Sequence, residues 1–357
     1  MIGGLKKFYQ SFRGTGEASL AIPALDGAFR PNQAIEEATV LARIASPDNL
    51  AVAQGRLWFS SGRQLCATRE SGGVETLETL PKPVTAIAGQ GDALAVALEG
   101  GTIVLRSQDR QLSLPSPGDV TALCFDGNSG LVVCIGSATR GVSQWSRDLL
   151  EGGRSGSVWH IDLQSGRTEC LAADLGYAAG CAMDHDGSVL VSESWKHRLI
   201  RLRKGKAPEI VVSSLPGYPS RIGHSGSGGF WVAVPAPLNQ LVEFVLREDE
   251  FRRRMINEIE TPHWIAPTLS PPDSFLNPMQ QGAQRVLGMI KPWAPGMSYG
   301  LLVELDRRGQ PIRSYHSRAD GSRHGITSAV EFGDQIVLAS KGSGNLLSMP
   351  IDKGVVQ

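Results

Sequence analysis

Apolar and polar positions along this chain fall into one phrase that recurs six times. Each copy has a short polar or small lead-in, an alternating apolar strand, a Gly/Asp turn, and a second apolar strand that ends in Ser or Ala. The copies are "PDNLAVAQGRLWFSS" from Pro47, "KPVTAIAGQGDALAVAL" from Lys82, "GDVTALCFDGNSGLVVCIGS" from Gly118, "YAAGCAMDHDGSVLVSES" from Tyr177, "YPSRIGHSGSGGFWVAV" from Tyr218 and "HGITSAVEFGDQIVLAS" from His324. A lone hairpin of this kind cannot bury its apolar faces, whereas radial stacking of four-stranded sheets buries both. Outer strands are supplied by segments such as "GSVWHIDLQSGRTECLA" and "HRLIRLRKGKAPEIVV". The pattern therefore predicts an all-β, six-bladed β-propeller over 41–357, preceded by an N-terminal extension of residues 1–40. "ATVLARIAS", just before Pro47, is expected to pair with the last blade and close the ring.

Two stretches break the rhythm. About ninety residues separate "FWVAV" from "HGITS", and within them Leu238, Leu241, Val245 and Met255 recur at helical spacing beside a charged face. This predicts a helical and irregular insertion over about 236–298, between blades five and six, with a second short helix over 280–289 and a surface able to meet a protein partner or cover one end of the ring. The mixed-sign run "REDEFRRR" is the solvated side of that helix. The second break is "ATRGVSQWSRDLLEGGRSG", residues 138–156.

Composition narrows the function classes. The 35 basic and 35 acidic side chains cancel, so nothing draws the whole molecule to nucleic acid or anionic lipid. No apolar run approaches the length of a membrane span, and no membrane span is expected. The N-terminal "LKKFYQSF" reads as a frayed terminus rather than a membrane-touching helix. The 5 cysteines include no CxxC pair, which fits buried, reduced thiols and a cytoplasmic location. GxSxG, P-loop and HExxH patterns are absent, so serine-hydrolase, nucleotide and zincin chemistry have no motif support.

The run "GSATRGVSQWSRDLLEGGRSGSVWHIDLQSGRTECLAADLGYAAGCAMDHDGSVLVSESWKHRLIRL", followed by "LPGYPSRIGHSGSGGFWVAV", resembles the strictosidine synthase-like proteins. These are six-bladed propellers related to gluconolactonases (the senescence marker protein type) and paraoxonase-type arylesterases. The resemblance extends over about residues 45–350. It implies that the chemistry sits where the six lead-ins converge on the axis. In relatives that hydrolyse lactones or esters, it implies Glu, Asn and Asp around a divalent cation, usually calcium.

Taken in order, the lead-ins of this chain offer Asp48 and Asn49, then Thr85, Thr121, Ala179, Ser220 with Arg221, and finally His324 and Thr327. Ala179 stands where the resemblance implies Asn, and Ser220 with Arg221 where it implies Asp-Asn. An alanine cannot ligate and a guanidinium repels a dication, so no metal ligands and no cofactor are expected; the remaining oxygens would hold calcium only weakly. Strictosidine synthase itself uses a carboxylate base near the position of Thr327, and Glu331, four residues on, reads as an exposed turn residue.

What remains is a constellation of Asp48, Arg221 and His324 as catalytic candidates, with Asn49, Thr85, Thr121, Ser220, Thr327 and Glu193 as substrate-binding candidates. Asp48 and His324 are a base and its orienting partner in this reading, and Arg221 holds a carboxylate or an oxyanion. Each has a structural alternative: Asp48 as a turn cap, Arg221 as its salt-bridge partner, His324 as an exposed loop residue, and Glu193 bonded to backbone amides between blades. Trp145, Trp231, Trp264 and Trp293 are candidates for the floor of an apolar pocket, with packing as the alternative. His185, His160 and His197 fall on turns or outer strands. The expected function is a small-molecule enzyme hydrolysing a lactone or ester without a complete calcium site. The alternatives are a non-catalytic propeller that binds a small ligand or a protein, marked by a plugged axis, and an amine–aldehyde condensation of the Pictet–Spengler type.

Overall fold

The computed structural model describes residues 25–114, 116–127, 129–271, 285–286, 289–290 and 296–351. Six four-stranded antiparallel sheets form the blades of a propeller. Their innermost strands are Pro47–Ala53, Val84–Gln90, Val120–Phe125, Ala178–Met183, Ile222–His224 and Ile326–Phe332. Each touches the next in that order, and the last touches the first, so the ring is closed.

Closure comes from the start of the chain. Thr39–Arg43 pairs antiparallel with Asn345–Pro350 as the outermost strand of blade six, which puts the earliest described strand beside the latest. Central strands are apolar on both faces because neighbouring blades cover both: Gly130–Ile135 is buried throughout. Small and branched side chains such as Ala95, Ala97, Val133 and Ile135 fill the seam between blades two and three. A bare hairpin would leave these faces wet.

The long excursion lies between the inner hairpins of blades five and six. It leaves after Phe230–Val234 and returns as Leu301–Leu305 and Pro311–His316, the outer two strands of blade five. The helical spacing seen in the sequence resolves into two helices, α2 (Gln240–Arg247) and α3 (Asp249–Glu258), preceded in the chain by α1 (Trp145–Leu150) in blade three. The Asn239 side chain caps α2 by accepting from the Leu241 and Val242 amides at 2.8 and 3.4 Å, the role Asn fills at helix starts. The short helix expected over 280–289 is not formed in its described residues. Instead Arg285–Val286 pairs with Met289–Ile290 as a two-residue ladder.

The two breaks of rhythm meet. Leu150 of α1 packs with Val245, Met255, Trp264 and Ala266 of the excursion. Both excursions leave from the ends of second strands, and the lead-ins of the inner strands begin at that same end. The covered face is therefore the one on which the lead-ins converge.

Candidate functional site at the hub

Five of the six inner strands carry a register shift at their start, between Asp48 and Ala51, Val84 and Ala86, Val120 and Ala122, Ala178 and Gly180, and Ile326 and Ser328. The skipped residues are Asn49 with Leu50, Thr85, Thr121, Ala179 and Thr327. A bulge re-aims a side chain that the ladder would otherwise fix, and here it sets the lead-in residues at the axis. Asn49 takes the left-handed conformation this needs, with φ of 60°, which asparagine tolerates better than most residues. Blade five contributes Arg221, just ahead of Ile222–His224. Its backbone passes so close to blade four that a Cβ on Gly180 would lie 2.3 Å from the Ser220 carbonyl oxygen and 2.7 Å from the Arg221 Cα.

Arg221 spans the hub. Its Nη1 donates to Asp48 Oδ1 of blade one at 2.8 Å, and its Nη2 donates to the Thr85 carbonyl of blade two, on the opposite side of the ring, at 3.0 Å. Asp48 Oδ1 also accepts from Thr327 Oγ1 and from the Asn49 amide, both at 2.8 Å, while Oδ2 accepts from Lys341 Nζ at 2.8 Å. Burial alone would raise the Asp48 carboxyl; the charges of Arg221 and Lys341, with the hydrogen bonds from Lys341 and Thr327, outweigh it and hold the pKa at about 2. One carboxylate thus faces two cations. The Asp48 side chain is 8 % exposed and that of Arg221 17 %, but that of Lys341 is 30 % exposed.

Three buried hub atoms have no hydrogen-bond partner among the described residues: Asn49 Oδ1, Thr85 Oγ1 and Arg221 Nε. The rest of Asn49 is fixed, with Nδ2 donating to Ser60 Oγ at 2.7 Å and to the Val84 carbonyl at 3.5 Å.

The other candidates are placed elsewhere. His324 does not meet Asp48: it lies three residues ahead of the bulge at Thr327, and the left-handed Gly325, with φ of 66°, follows it. Its Nδ1 bonds Ser298 Oγ at 2.7 Å and its Nε2 bonds the Arg318 carbonyl at 2.8 Å. The residue is buried, not an exposed loop histidine. Glu193 is fully buried and accepts from the Gly176 amide at 2.9 Å, from Lys196 Nζ at 2.7 Å and from Arg198 Nε at 2.6 Å, so its work is to tie the blade-four turn. Thr121 Oγ1 is spent on the Ala178 and Cys134 carbonyls. Ser220 holds the seam through its backbone, its carbonyl accepting from Ser192 Oγ at 2.7 Å. Glu331 is not an exposed turn residue: it is half-buried and bridges blades five and six, accepting from Trp231 Nε1 at 2.8 Å and from the Gly226 amide at 2.9 Å.

Of the tryptophans, Trp231 and Trp264 are core residues, Trp293 lies outside the described residues, and Trp145 is half-buried beside Trp195 with ring centroids 6.3 Å apart. Trp195 in turn stacks on Tyr177 at 4.4 Å. Tyr177 is a hub residue the lead-in rule missed. A Cβ on Gly136 would touch both Tyr177 Cζ and Thr121 Cγ2 at 2.7 Å, which puts the phenol end next to an axial threonine. Burial first, then the nearby Asp148 charge, raise its pKa, against the pull of Arg221. Lys341 was missed for a similar reason: it follows a second strand, Gln335–Ser340, instead of leading an inner one.

A resident dication does not fit this hub. Both carboxylate oxygens of Asp48 already bind cations, and the Arg221 guanidinium crosses the axis. Among the described residues, no group of three or more His, Cys, Asp or Glu could hold a metal ion.

No family model matches the chain. Strictosidine synthase-like 6 of Arabidopsis thaliana is 22 % identical over 294 residues, spanning 77 % of this chain and 71 % of that protein. The adipocyte plasma membrane-associated protein of Salmo salar is 26 % identical over 226 residues, spanning 59 % of this chain and 47 % of that protein. Among solved structures, a gluconolactonase from Xanthomonas campestris superposes with a TM-score of 0.54 at 13 % identity, over 87 % of this chain and 88 % of that one. The chain is thus similar along most of its length to strictosidine synthase-like proteins, and its propeller fold is shared with a gluconolactonase.

Proposed function

We propose that the hub is a metal-independent site for a small organic molecule, held through a carboxylate, or through an ester or lactone carbonyl, by Arg221 and Lys341. The observation that carries this reading is the imbalance around Asp48, where one carboxylate answers two cations. Positive potential in a half-dry site selects an anion or the oxygen end of a polarised carbonyl. Asp48 is a poor general base in this arrangement, because it is held ionised between Arg221 and Lys341 and its pKa sits at about 2. Binding through the two cations is therefore the primary role. Titration calorimetry with acetate and propionate, with and without chelator, tests it: binding that survives chelator and is lost in Lys341→Met and Arg221→Ala supports the reading, and no heat with either acid removes it.

Hydrolysis of a lactone or ester is the second reading, favoured by Lys341, whose Nζ has one hydrogen bond to Asp48 and is the most exposed of the hub charges. Its remaining donors are free to polarise a carbonyl and stabilise the oxyanion formed as water attacks. Turnover of a lactone panel that is insensitive to chelator and falls at least tenfold in Lys341→Met is the expected result. Binding without turnover would leave the first reading alone. No helix among the described residues is long and apolar enough to cross a membrane, and five free cysteines support a place in the reducing cytoplasm.

A further inference from the structure

We propose that Ser298 and His324 are a nucleophile and its base, a second site on the hub face that takes the acyl group of a small ester. It stands apart from the anion-binding reading, since neither Arg221 nor the Lys341 side chain enters it. The chain carries one G-x-S-x-G run, "GMSYG" at 296–300, which corrects the expectation that the pattern is absent. The run leads into the strand Leu301–Leu305 and not into a helix, so the strained elbow of that motif is not formed; what the run supplies is a serine set against a histidine. Ser298 Oγ lies 2.7 Å from His324 Nδ1, and His324 Nε2 lies 2.8 Å from the Arg318 carbonyl. A carbonyl only accepts, so Nε2 carries the proton of the neutral ring. Nδ1 is then the acceptor, and the serine hydroxyl donates to it, as an activated nucleophile does.

The His324 backbone is pinned on both sides, its amide donating to Ser343 Oγ and its carbonyl accepting from Ser340 Oγ, each at 2.8 Å. Burial holds the ring below its ordinary 6.5, against the Arg318 carbonyl and the charges of Glu36 and Asp320; Tyr299 faces it edge-on at 6.3 Å. The ring is therefore neutral at pH 7, and the same carbonyl and carboxylates favour the imidazolium once it forms. In the reaction Oγ bonds to the ester carbonyl carbon, while Nδ1 takes the hydroxyl proton and passes it to the leaving alkoxide as the C–O bond breaks. Water then repeats both steps on the acyl-serine and releases the acid. The Tyr299 amide, which has no hydrogen-bond partner among the described residues, is the backbone donor beside the nucleophile for the oxyanion. Access runs through residues 268–270, because Ser298 is 4 % exposed and His324 1 %. The Thr268 amide donates to the Met297 carbonyl at 2.9 Å, and a Cβ on Gly325 would lie 2.5 Å from the Leu269 carbonyl oxygen. Thr268 and Leu269 are half-buried and Ser270 is exposed, so the cover is a surface segment, tied down where Ser270 Oγ donates to the Gly342 carbonyl at 2.7 Å. The site opens when this segment lifts.

Labelling of the full chain with an ethyl fluorophosphonate, followed by intact mass and peptide mapping, tests the proposal. One adduct is expected, on Ser298, with the Oγ–P bond formed and fluoride displaced. The rate should fall about a hundredfold in His324→Gln, the worth of a positioned general base, and the adduct should vanish in Ser298→Ala. In the parent the rate should rise with pH through a midpoint below 6.5 and then level off, as the ring loses its proton. Gly342→Ala, which crowds the Leu269 carbonyl, should lift the cover and label faster than the parent. Absence of the adduct from Ser298 in both the parent and Gly342→Ala, an equal rate in His324→Gln, or a rate that is flat from pH 5 to 8 would each overturn the proposal and leave the hub reading untouched. Should His324→Gln fail to fold, the pH profile of the parent decides by itself, because a serine bonded to histidine for structure alone would show no such midpoint.

Discussion

A single buried carboxylate organises the hub, and its removal shows what the network is worth. Asp48→Ala leaves Arg221 and Lys341 facing each other without a counter-charge, which for a broken buried pair costs about 3–5 kcal/mol; urea unfolding should show a loss of that size, larger than for Lys341→Met, whose Nζ is partly in water. The buried histidines set a separate dependence on pH. Burial lowers His316 to about 4 and moves His324 in the same direction. Their folded pKa values lie below the unfolded value of about 6.5, so the unfolded chain binds protons first as pH falls. Stability should be level above pH 6.5, fall between pH 6.5 and 4, and for His316 lose about 3 kcal/mol at 1.36 kcal/mol per pKa step. Asp48 adds nothing to that window, because its contribution is lost only as pH falls from about 3.8 through 2. Urea midpoints at pH 7, 6, 5 and 4 check this, and His316→Gln should flatten the curve.

At the scale of elements, the lead-ins were the legible part of the site. Asp48, Asn49, Thr85 and Thr327 come together because a bulge at the start of a repeated strand has a recognisable place in the repeat, and Arg221 reaches them from just ahead of the unbulged inner strand of blade five. Lys341 and Tyr177 were not legible in the same way. One follows a second strand and the other precedes its bulge by two residues, and their approach to the axis depends on turns whose geometry no periodicity encodes. His324 was misplaced for the converse reason: Gly325 turns the chain between it and Thr327. Glycines also set the excursion on this face. A Cβ on Gly342 would lie 1.7 Å from the Leu269 carbonyl oxygen, and Ser270 Oγ donates to the Gly342 carbonyl at 2.7 Å. Gly342→Ala should therefore lift the 269–271 segment from blade six and cost about 1–3 kcal/mol, with faster hydrogen exchange confined to residues near Gly325 and Leu269.

At the scale of the molecule, six sheets were legible because each hairpin repeats one grammar, and so was the pairing of "ATVLARIAS" with the last blade. The path of the excursion was legible only in part: its charged helices were visible, but the outer strands of blade five waiting beyond it carry no signal separating them from a new blade. The closing strand has a consequence for how the molecule is made. Thr39–Arg43 is synthesised before any blade exists, yet its partner, Asn345–Pro350, emerges after all the others. During translation the first five blades can assemble vectorially, while this early strand waits with its backbone groups paired only to water across some three hundred residues of growing polypeptide. The last step of biogenesis is therefore a long-range capture event, slow by the entropy of joining distant segments. A nascent chain stalled before that step would expose two raw β edges to its neighbours on the same polysome.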